Sequence, residues 1–510
     1  MIMTISYIKN FHMGSVNGQS LREEAERIKS EFQRIATNKK IDAEINMLFQ
    51  SMLVLINLLV AIFLEKTTKK TNKNSSKPSS QTEKDESSTT HPGTHGKGKQ
   101  ESVTIAHNTR TIENVTIASV TQCEVCGLGL TETSCEHIER RTKVDIIFET
   151  VVEHVDAEIK YCNNCDSITK GKFPADMPGP LQYGNGLKAY IISLLVCQMI
   201  SLSRVKNLIK TLIGRIIAEA SLLQFILRLN KALEQWESSA IQQLLMSPAM
   251  NVDETSLRVD KKNHWIHVYS AGDITLKLLH RRRGTEAIDE INIIPQYGGT
   301  IIHDCWSSYL TYEHCGHGLC GSHIVRELTG IIESNGYAWA INMKTLLLET
   351  CKKVSKRKKK RLTEKEYGHL QKRYRNIITR GEKELPELPE KPNGKRGKIA
   401  KSDAHNLWER LKDHESAVLL FAKKSDVSFT NNRAERDLRM SKVKQKVSGC
   451  FRTETYAKAY CRISSYLQTM ANKGYNPLIA IQKALNGWCN VSSVNLNLVR
   501  SISCFVLNPS

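Results

Sequence analysis

Apolar residues recur at steps of three and four through the first long hydrophobic stretch of the chain. Ile45, Leu48, Met52, Leu55, Leu59 and Ile62 share one helical face in and just before MLFQSMLVLINLLVAIFL, residues 47–64. That spacing predicts a helix with a coiled-coil seam. The run is at the lower length limit for a membrane span. Gln50, Ser51 and Asn57 interrupt it, and a charged, helix-friendly stretch from about Leu21 leads into it. Residues 1–64 therefore read as a helical oligomerisation segment, with a membrane helix as the lesser reading. Large apolar residues then almost vanish. Residues 65–102 are rich in Lys, Ser, Thr and Gly, and burial cannot offset the entropy of ordering them, so a flexible linker is expected.

Within residues 103–175 the pattern changes to alternation, and TKVDIIFETVVEHVDAEIKYC predicts a β-hairpin. Helical period returns over residues 176–248. GLKAYIISLLVCQMISLSRVKNLIKTLIG gives a helix, a break near Ser201–Ser203 and a second, basic helix. A helix-turn-helix has that layout, but so does any helical pair. Residues 214–246 predict one long amphipathic helix. From residue 249 come three β-type runs, AMNVDETSLRV, HWIHVYSAG and ITLKLLHRR, then a helix, RGTEAIDEINII, then a short apolar run, GGTIIHDCW. This order predicts a mixed sheet covered by helices, filling residues 249–314. Residues 315–427 are helical and basic, with a Lys/Arg run near 351–380 and a Pro/Gly/Lys loop after it. Residues 428–475 carry a further charged helix, and 476–510 form a C-terminal segment.

Length and charge narrow the class. At 510 residues the chain calls for two to four domains, here a multidomain α+β protein. A net charge of +21 and a pI near 9.3 point to a polyanionic partner, nucleic acid before an acidic membrane surface. Fourteen scattered cysteines with only two tight CxxC pairs argue for a reducing compartment and a metal site, against a disulfide framework. A cytoplasmic, nucleoid-associated protein is expected. No signal-peptide layout follows Met1–Ile8, and Met13 is a second candidate start. The final stretch, WCNVSSVNLNLVRSISCFVLNPS, does not read like a domain terminus.

Three clusters carry candidate chemistry. Cys123-x-x-Cys126 and Cys162-x-x-Cys165 flank Cys135, His137 and His154. Two knuckles at that separation match a zinc ribbon, in which each knuckle turns two thiolates toward one Zn²⁺. Such a module serves DNA or protein binding. The bland alternative is four unligated cysteines. Second, Asp253 and Asp304 sit in runs that otherwise call for burial. Ionised carboxylates on neighbouring strands are tolerated when a divalent cation relieves their repulsion, and hard oxygen ligands select Mg²⁺ or Mn²⁺. Third, in SFTNNRAERDLRMSKVKQKVSG, Glu435, Arg439, Lys442 and Lys446 fall on one helical face behind Asn431 and Asn432, which are placed to cap it. Glu435 would complete a three-acid cage, with the basic residues gripping phosphates. Asp437 points elsewhere. Cys315, His317, Cys320 and His323 form CGHGLCGSH, which reads equally as soft ligands or as a packed polar turn, so no metal is assigned there.

NVDETSLRVDKKNHWIHVYS, GTIIHDCWSSYL, LCGSHIVRELTGI and FTNNRAERDLRMSKVKQKVSGCFRT resemble the signature segments of the DDE transposases of bacterial insertion-sequence family sixty-six, over roughly residues 110–485. NSSKPSS and NPLIAIQKAL are similar to that family as well. The resemblance implies a ribonuclease-H-like core interrupted by an insertion before the last acid, and Asp253, Asp304 and Glu435 as the catalytic triad. It implies metal-dependent cutting of double-stranded DNA at element ends and joining to target DNA, and on that reading His303 and Asn432 are placed to position the acids. Two DNA ends must be held together, so the N-terminal seam is expected to pair protomers into a homo-oligomer, and the resemblance implies accessory proteins encoded by the element as partners. The rival reading is a zinc and helix DNA-binding remnant without catalysis. A host nuclease of the same core would need neither the zinc module nor the insertion.

Overall fold

The computed structural model describes residues 23, 26–31, 34, 43–68, 70–71, 73–74, 115–144, 146, 149–389 and 401–487. Most of the expected linker, the tip of the Pro/Gly/Lys loop and the stretch from 488 lie outside the described residues.

Helix α1 (Ala43–Thr67) precedes a small hairpin, β1 (Ile159–Cys162) and β2 (Ser167–Lys170). Four helices follow: α2 (Asn185–Val196), α3 (Leu202–Ile213), α4 (Glu219–Ala232) and α5 (Glu234–Leu245). Strands β3 (Ala249–Val259), β4 (Lys262–Ala271) and β5 (Ile274–His280) lead to α6 (Thr285–Ile291), β6 (Thr300–His303), α7 (Ser307–Leu310) and β7 (Gly316–Leu319). Then come α8 (Gly321–Asn335), α9 (Ala338–Ser355), α10 (Glu364–Glu384), α11 (Asp403–Asp413) and α12 (Glu415–Lys423). The described chain closes with α13 (Asn432–Ser448), α14 (Glu454–Asn472) and α15 (Pro477–Leu485).

The five strands from β3 onward make one sheet in the order β5-β4-β3-β6-β7. β3, β4 and β5 form an antiparallel meander, and β6 runs parallel to both β3 and β7. All four residues of β6 are buried, as expected of a parallel strand covered on both faces. A first core joins this sheet to α2–α5, α14 and α15. A second core fills the space among α8–α12 and meets the sheet through Ile302 and Leu319.

Two local expectations differ from the structure. The single helix over 214–246 is two helices, because Leu233 leaves helical geometry (φ −92°, ψ 3°) and is fully buried. The apolar stripe continues across the break through Leu229, Trp236, Ala240 and Leu244, so packing, not periodicity, accompanies the break. The hairpin takes in only the last four residues of the alternating run as β1 and pairs them with β2 beyond it. Val144 and Val151 are about nine-tenths exposed, at 89% and 93%, so no core holds that run as strands. The knuckle at Cys162–Cys165 supplies the turn instead, with Asp166 N–H donating to Cys162 O at 2.9 Å.

Helix α1 docks at its C-terminal end. Leu58, Ala61 and Leu64 are buried, and the Glu65 carboxylate accepts the N–H groups of Asp403 (2.5 Å) and Ala404 (3.0 Å) at the start of α11. Asn74 then lies against α8, where a Cβ on Gly330 would meet its carbonyl oxygen. The first residues after 64 are therefore packed on the α8–α12 bundle. Ile45, Leu48, Met52, Leu55 and Leu59 on the seam are exposed. Among the described residues, Glu44–Thr67 is the one helix long and apolar enough to cross a membrane.

Candidate active site on the central strands

The strand pleat sends the adjacent acids of β3 to different environments. Glu254 is held in a closed cluster. Arg283 donates to its Oε1 through Nε (2.8 Å) and Nη2 (2.6 Å), and Tyr309 OH donates to its Oε2 at 2.6 Å. The Arg283 guanidinium also lies over the rings of Trp306 (4.3 Å) and Trp265 (5.0 Å). Asp253 has no such partner: its Oδ1 accepts the Glu254 N–H at 2.8 Å. Its carboxyl is pushed well above the usual carboxylate range, first by burial and then by the negative charge of Glu254, Asp304 and Glu435. That shared influence gathers the three predicted acids into one electrostatic neighbourhood.

Asp304 follows β6, which lies beside β3. A strained turn presents it. Cys305 has φ +70°, a left-handed conformation rare for a residue with a side chain, and Asp304 Oδ1 accepts the Trp306 N–H at 3.2 Å. A histidine relay fixes the turn. Cys305 N–H donates to His303 Nδ1 at 3.1 Å, which leaves the proton on Nε2, facing His317 Nδ1 at 3.1 Å. His317 in turn faces Tyr312 O through Nε2 at 3.2 Å. Burial first, and His317 next, push His303 down to about 3, so its ring stays neutral at neutral pH, and burial lowers His317 as well. His303 thus acts on the turn that carries Asp304.

Glu435 stands in the first turn of α13. Asn431 occupies the cap position but makes no side-chain capping bond. Its side chain instead ties the helix start to β3, donating to Val252 O at 2.8 Å and accepting from Asn251 Nδ2 at 2.9 Å. Asn431 N–H donates to Cys320 Sγ at 3.1 Å, and Gly321 N–H donates to Phe429 O at 2.7 Å. The start of α8 and the start of α13 are thereby fastened together beside Asp253. Asn432, expected to position the acids, accepts from Ser322 at 3.2 Å. Glu435 Oε1 lies 3.5 Å from His323 Nδ1, and its Oε2 lies 3.8 Å from Arg326. Burial works to raise the Cys320 thiol, but the neighbouring His323 and the Asn431 N–H together outweigh it and hold the thiol below its ordinary value. Burial opposes charge on His323, yet Cys320 and Glu435 together raise it.

Asp437 turns inward from the same helix, accepting from Ser270 (2.8 Å) and Thr275 (2.7 Å) hydroxyls. Of the predicted basic face, Arg439 and Lys446 are exposed. Lys442 is half-buried and donates to Ser256 on β3. Burial lowers it, and the nearby Asp253 opposes that.

The two cysteines and two histidines of CGHGLCGSH divide by role. Cys315 is buried and donates to Tyr297 O at 3.0 Å, and His317 serves the relay. Only Cys320 and His323 face Glu435. Among the described residues, these three are the one Cys/His/acid group whose ligand atoms lie within 4.8 Å of one another. The knuckle thiols pair within each knuckle: Cys123 with Cys126, and Cys165 with Cys162. The structure does not bring the two pairs together, nor does it bring all three acids within that distance. Sequence reading missed Arg283, Tyr309, Arg326 and the sheet-binding role of Asn431. The Asp-Glu doublet in an alternating strand was the signal for two opposed environments.

A family model described as the transposase IS66 family matches residues 180–459. No curated protein matches the chain.

Proposed function

The chain belongs to the IS66 family of transposases, and from that premise we propose that it cuts DNA at the ends of a mobile element and joins them to target DNA, with Asp253, Asp304 and Glu435 as the acids of a two-metal site. The observation that supports this reading is the Asp253 carboxyl, pushed up first by burial and Glu254 and then by the charges of Asp304 and Glu435. Crowded carboxylates of this kind favour a bound cation. The donor set is all oxygen, and Glu435 Oε1 is buried without a partner, which fits Mg²⁺ or Mn²⁺. When bound, such ions polarise the attacking and leaving oxygens of a phosphodiester.

The chain's own residues supply placement. Asn431 fixes the α13 helix start against β3, so Glu435 is carried to the edge of Asp253. The Cys305 turn and the His303–His317 relay hold Asp304. Lys442 balances charge beside Asp253, while Arg439 and Lys446 offer exposed cations to phosphates. Water attacks first and the freed 3′-hydroxyl second, so no side-chain nucleophile is needed. The meander of β3–β5, extended by β6 and β7 parallel to β3, supports a ribonuclease-H-like core over 249–314 and 428–475, with 315–427 as its α-helical insertion. We read 103–175 as a zinc module holding Zn²⁺ on Cys123, Cys126, Cys162 and Cys165, and the helices of 176–248 as reading the element ends. The α1 seam would pair protomers, since two ends must be held together. Accessory proteins of the element complete the partners, in the cytoplasm.

The test is a cleavage and strand-transfer assay with purified chain, Mg²⁺ or Mn²⁺, and DNA bearing the element ends. Metal-dependent cutting and joining, reduced at least ~100-fold in Glu435→Gln with DNA binding retained, supports the reading. Binding without cleavage in either protein would sink it.

A further inference from the structure

The facing atoms of Glu435 and His323 leave a gap in the hydrogen-bond accounting of the site. Glu435 Oε1 and His323 Nδ1 are both buried and both without a hydrogen-bond partner, yet they lie 3.5 Å apart. That separation is too long for a charge-assisted bond. It is close to the spacing of two ligand atoms around one tetrahedral zinc ion, about 3.3–3.6 Å for bonds of ~2.0–2.3 Å. Cys320, His323 and Glu435 each offer one ligand atom within 4.8 Å of the other two. The three residues come from elements already fastened together: Cys320 caps α8, His323 lies in its first turn, and Glu435 lies in the first turn of α13. Asn431 N–H donates to Cys320 Sγ, an outer-shell bond of the kind that steadies a ligating thiolate. Arg326 lies near Oε2 of Glu435, leaving Oε1 for the ion.

We propose that Cys320, His323 and Glu435 form a binding site for a soft divalent ion of the zinc class, and that its occupation withdraws Glu435 from the hard-ion site of Asp253 and Asp304. Binding displaces the thiol proton of Cys320 to solvent and forms one bond each to sulfur, nitrogen and oxygen. The fourth position stays open, as it does at zinc sites that exchange ligands. Thiolate and imidazole select zinc over magnesium by softness, so low zinc would switch off the enzyme in the presence of abundant magnesium. The inhibitory consequence rests on the catalytic role proposed for Glu435; the ion site itself does not.

Cobalt(II) serves as the probe, since it reports thiolate ligation by a charge-transfer band. Full-length chain is titrated beside Cys320→Ser, His323→Ala and Cys135→Ser. The expected result is loss of one thiolate's share of the band in Cys320→Ser, affinity at least ~10-fold weaker in His323→Ala, and no change in Cys135→Ser. A band in Cys320→Ser equal to that of the parent overturns the site. Should Cys320→Ser fail to fold, as read by circular dichroism, Glu435→Gln takes its place, with weaker cobalt binding expected and unchanged binding overturning the site. The second arm measures the ratio of DNA cleavage with and without added zinc at saturating Mg²⁺. A ratio well below one in the parent, restored toward one in Cys320→Ser, supports the switch, and equal inhibition of both overturns it. Absence of any Mg²⁺-dependent cleavage in the parent counts against the catalytic reading, while the cobalt arm still decides the ion site.

Discussion

Glu435 and Asp437, two residues apart on α13, face opposite worlds. Glu435 looks out to His323 and Arg326 at the edge of the central strands. Asp437 is almost fully buried and accepts two hydroxyls, from Ser270 on β4 and Thr275 on β5. Buried Lys277 adds a favourable charge nearby. Asp437 anchors the helix to the sheet, whereas Glu435 faces the start of α8.

Replacing Asp437 by Ala should therefore unfold the core while leaving the site chemistry intact in whatever remains folded. Two buried hydroxyls lose their acceptor and Lys277 loses its counter-charge. Breaking a buried polar pair from one side costs about 3–5 kcal/mol. Denaturant unfolding measures this directly. A change below ~1 kcal/mol would mean that the network contributes little.

Acid sensitivity should trace partly to His267. This ring on β4 is buried, and its pKa falls from 6.5 to about 4, first through burial and then through the charges of His280 and Arg283, against a bond to the Arg282 carbonyl. Above pH 6.5 neither the folded nor the unfolded ring carries a proton, so the group contributes no slope. Below 6.5 the unfolded chain binds a proton that the folded chain resists. Stability then falls until about pH 4, by at most ~3 kcal/mol. In His267→Leu the slope of unfolding free energy between those pH values should flatten. An unchanged slope would move the cause elsewhere.

How much of this was legible beforehand depends on the range of the forces involved. Strand alternation located β3, β4 and β5 closely because one period sets both faces locally. The acids Asp253 and Asp304 stood out because charge in an apolar run is costly wherever it falls. Asn431 misled: a residue before a helix reads as a cap, and nothing local tells that its amide will bond Val252 from 179 positions away. The break at Leu233 was likewise invisible, since its cause is burial against distant elements. The relay from His303 to His317 needs the parallel pairing of β6 with β7, a non-local contact that no window of sequence contains.

Arg439 and Lys446 are exposed on the outer face of α13, whereas Lys442 is partly engaged with Ser256. The first two should act as simple phosphate contacts. Alanine at each should weaken DNA binding regardless of sequence and reduce the salt dependence of log K by about one unit. Lys442→Ala should also disturb the Asp253 neighbourhood, and so lower cleavage more than binding. Fluorescence anisotropy across a salt series separates the cases. Equal slopes for parent and Arg439→Ala would remove that residue from the DNA track.

Asp253→Asn is expected to stabilise the metal-free chain. The Asp253 carboxyl is buried among Glu254, Asp304 and Glu435, and each of those charges opposes its ionised form. The amide keeps the shape and removes the repulsion, a gain of about 1–2 kcal/mol by the usual exchange of stability for function. Magnesium should reverse the order. An ion that binds the folded parent at ~100 times its dissociation constant adds about 2.7 kcal/mol, and the variant, lacking one ligand, should gain far less. Thermal unfolding with and without Mg²⁺ reads both effects in one experiment. If the parent is the more stable protein without metal, or if Mg²⁺ raises both melting temperatures equally, Asp253 is not held in an electrostatic strain that a cation relieves.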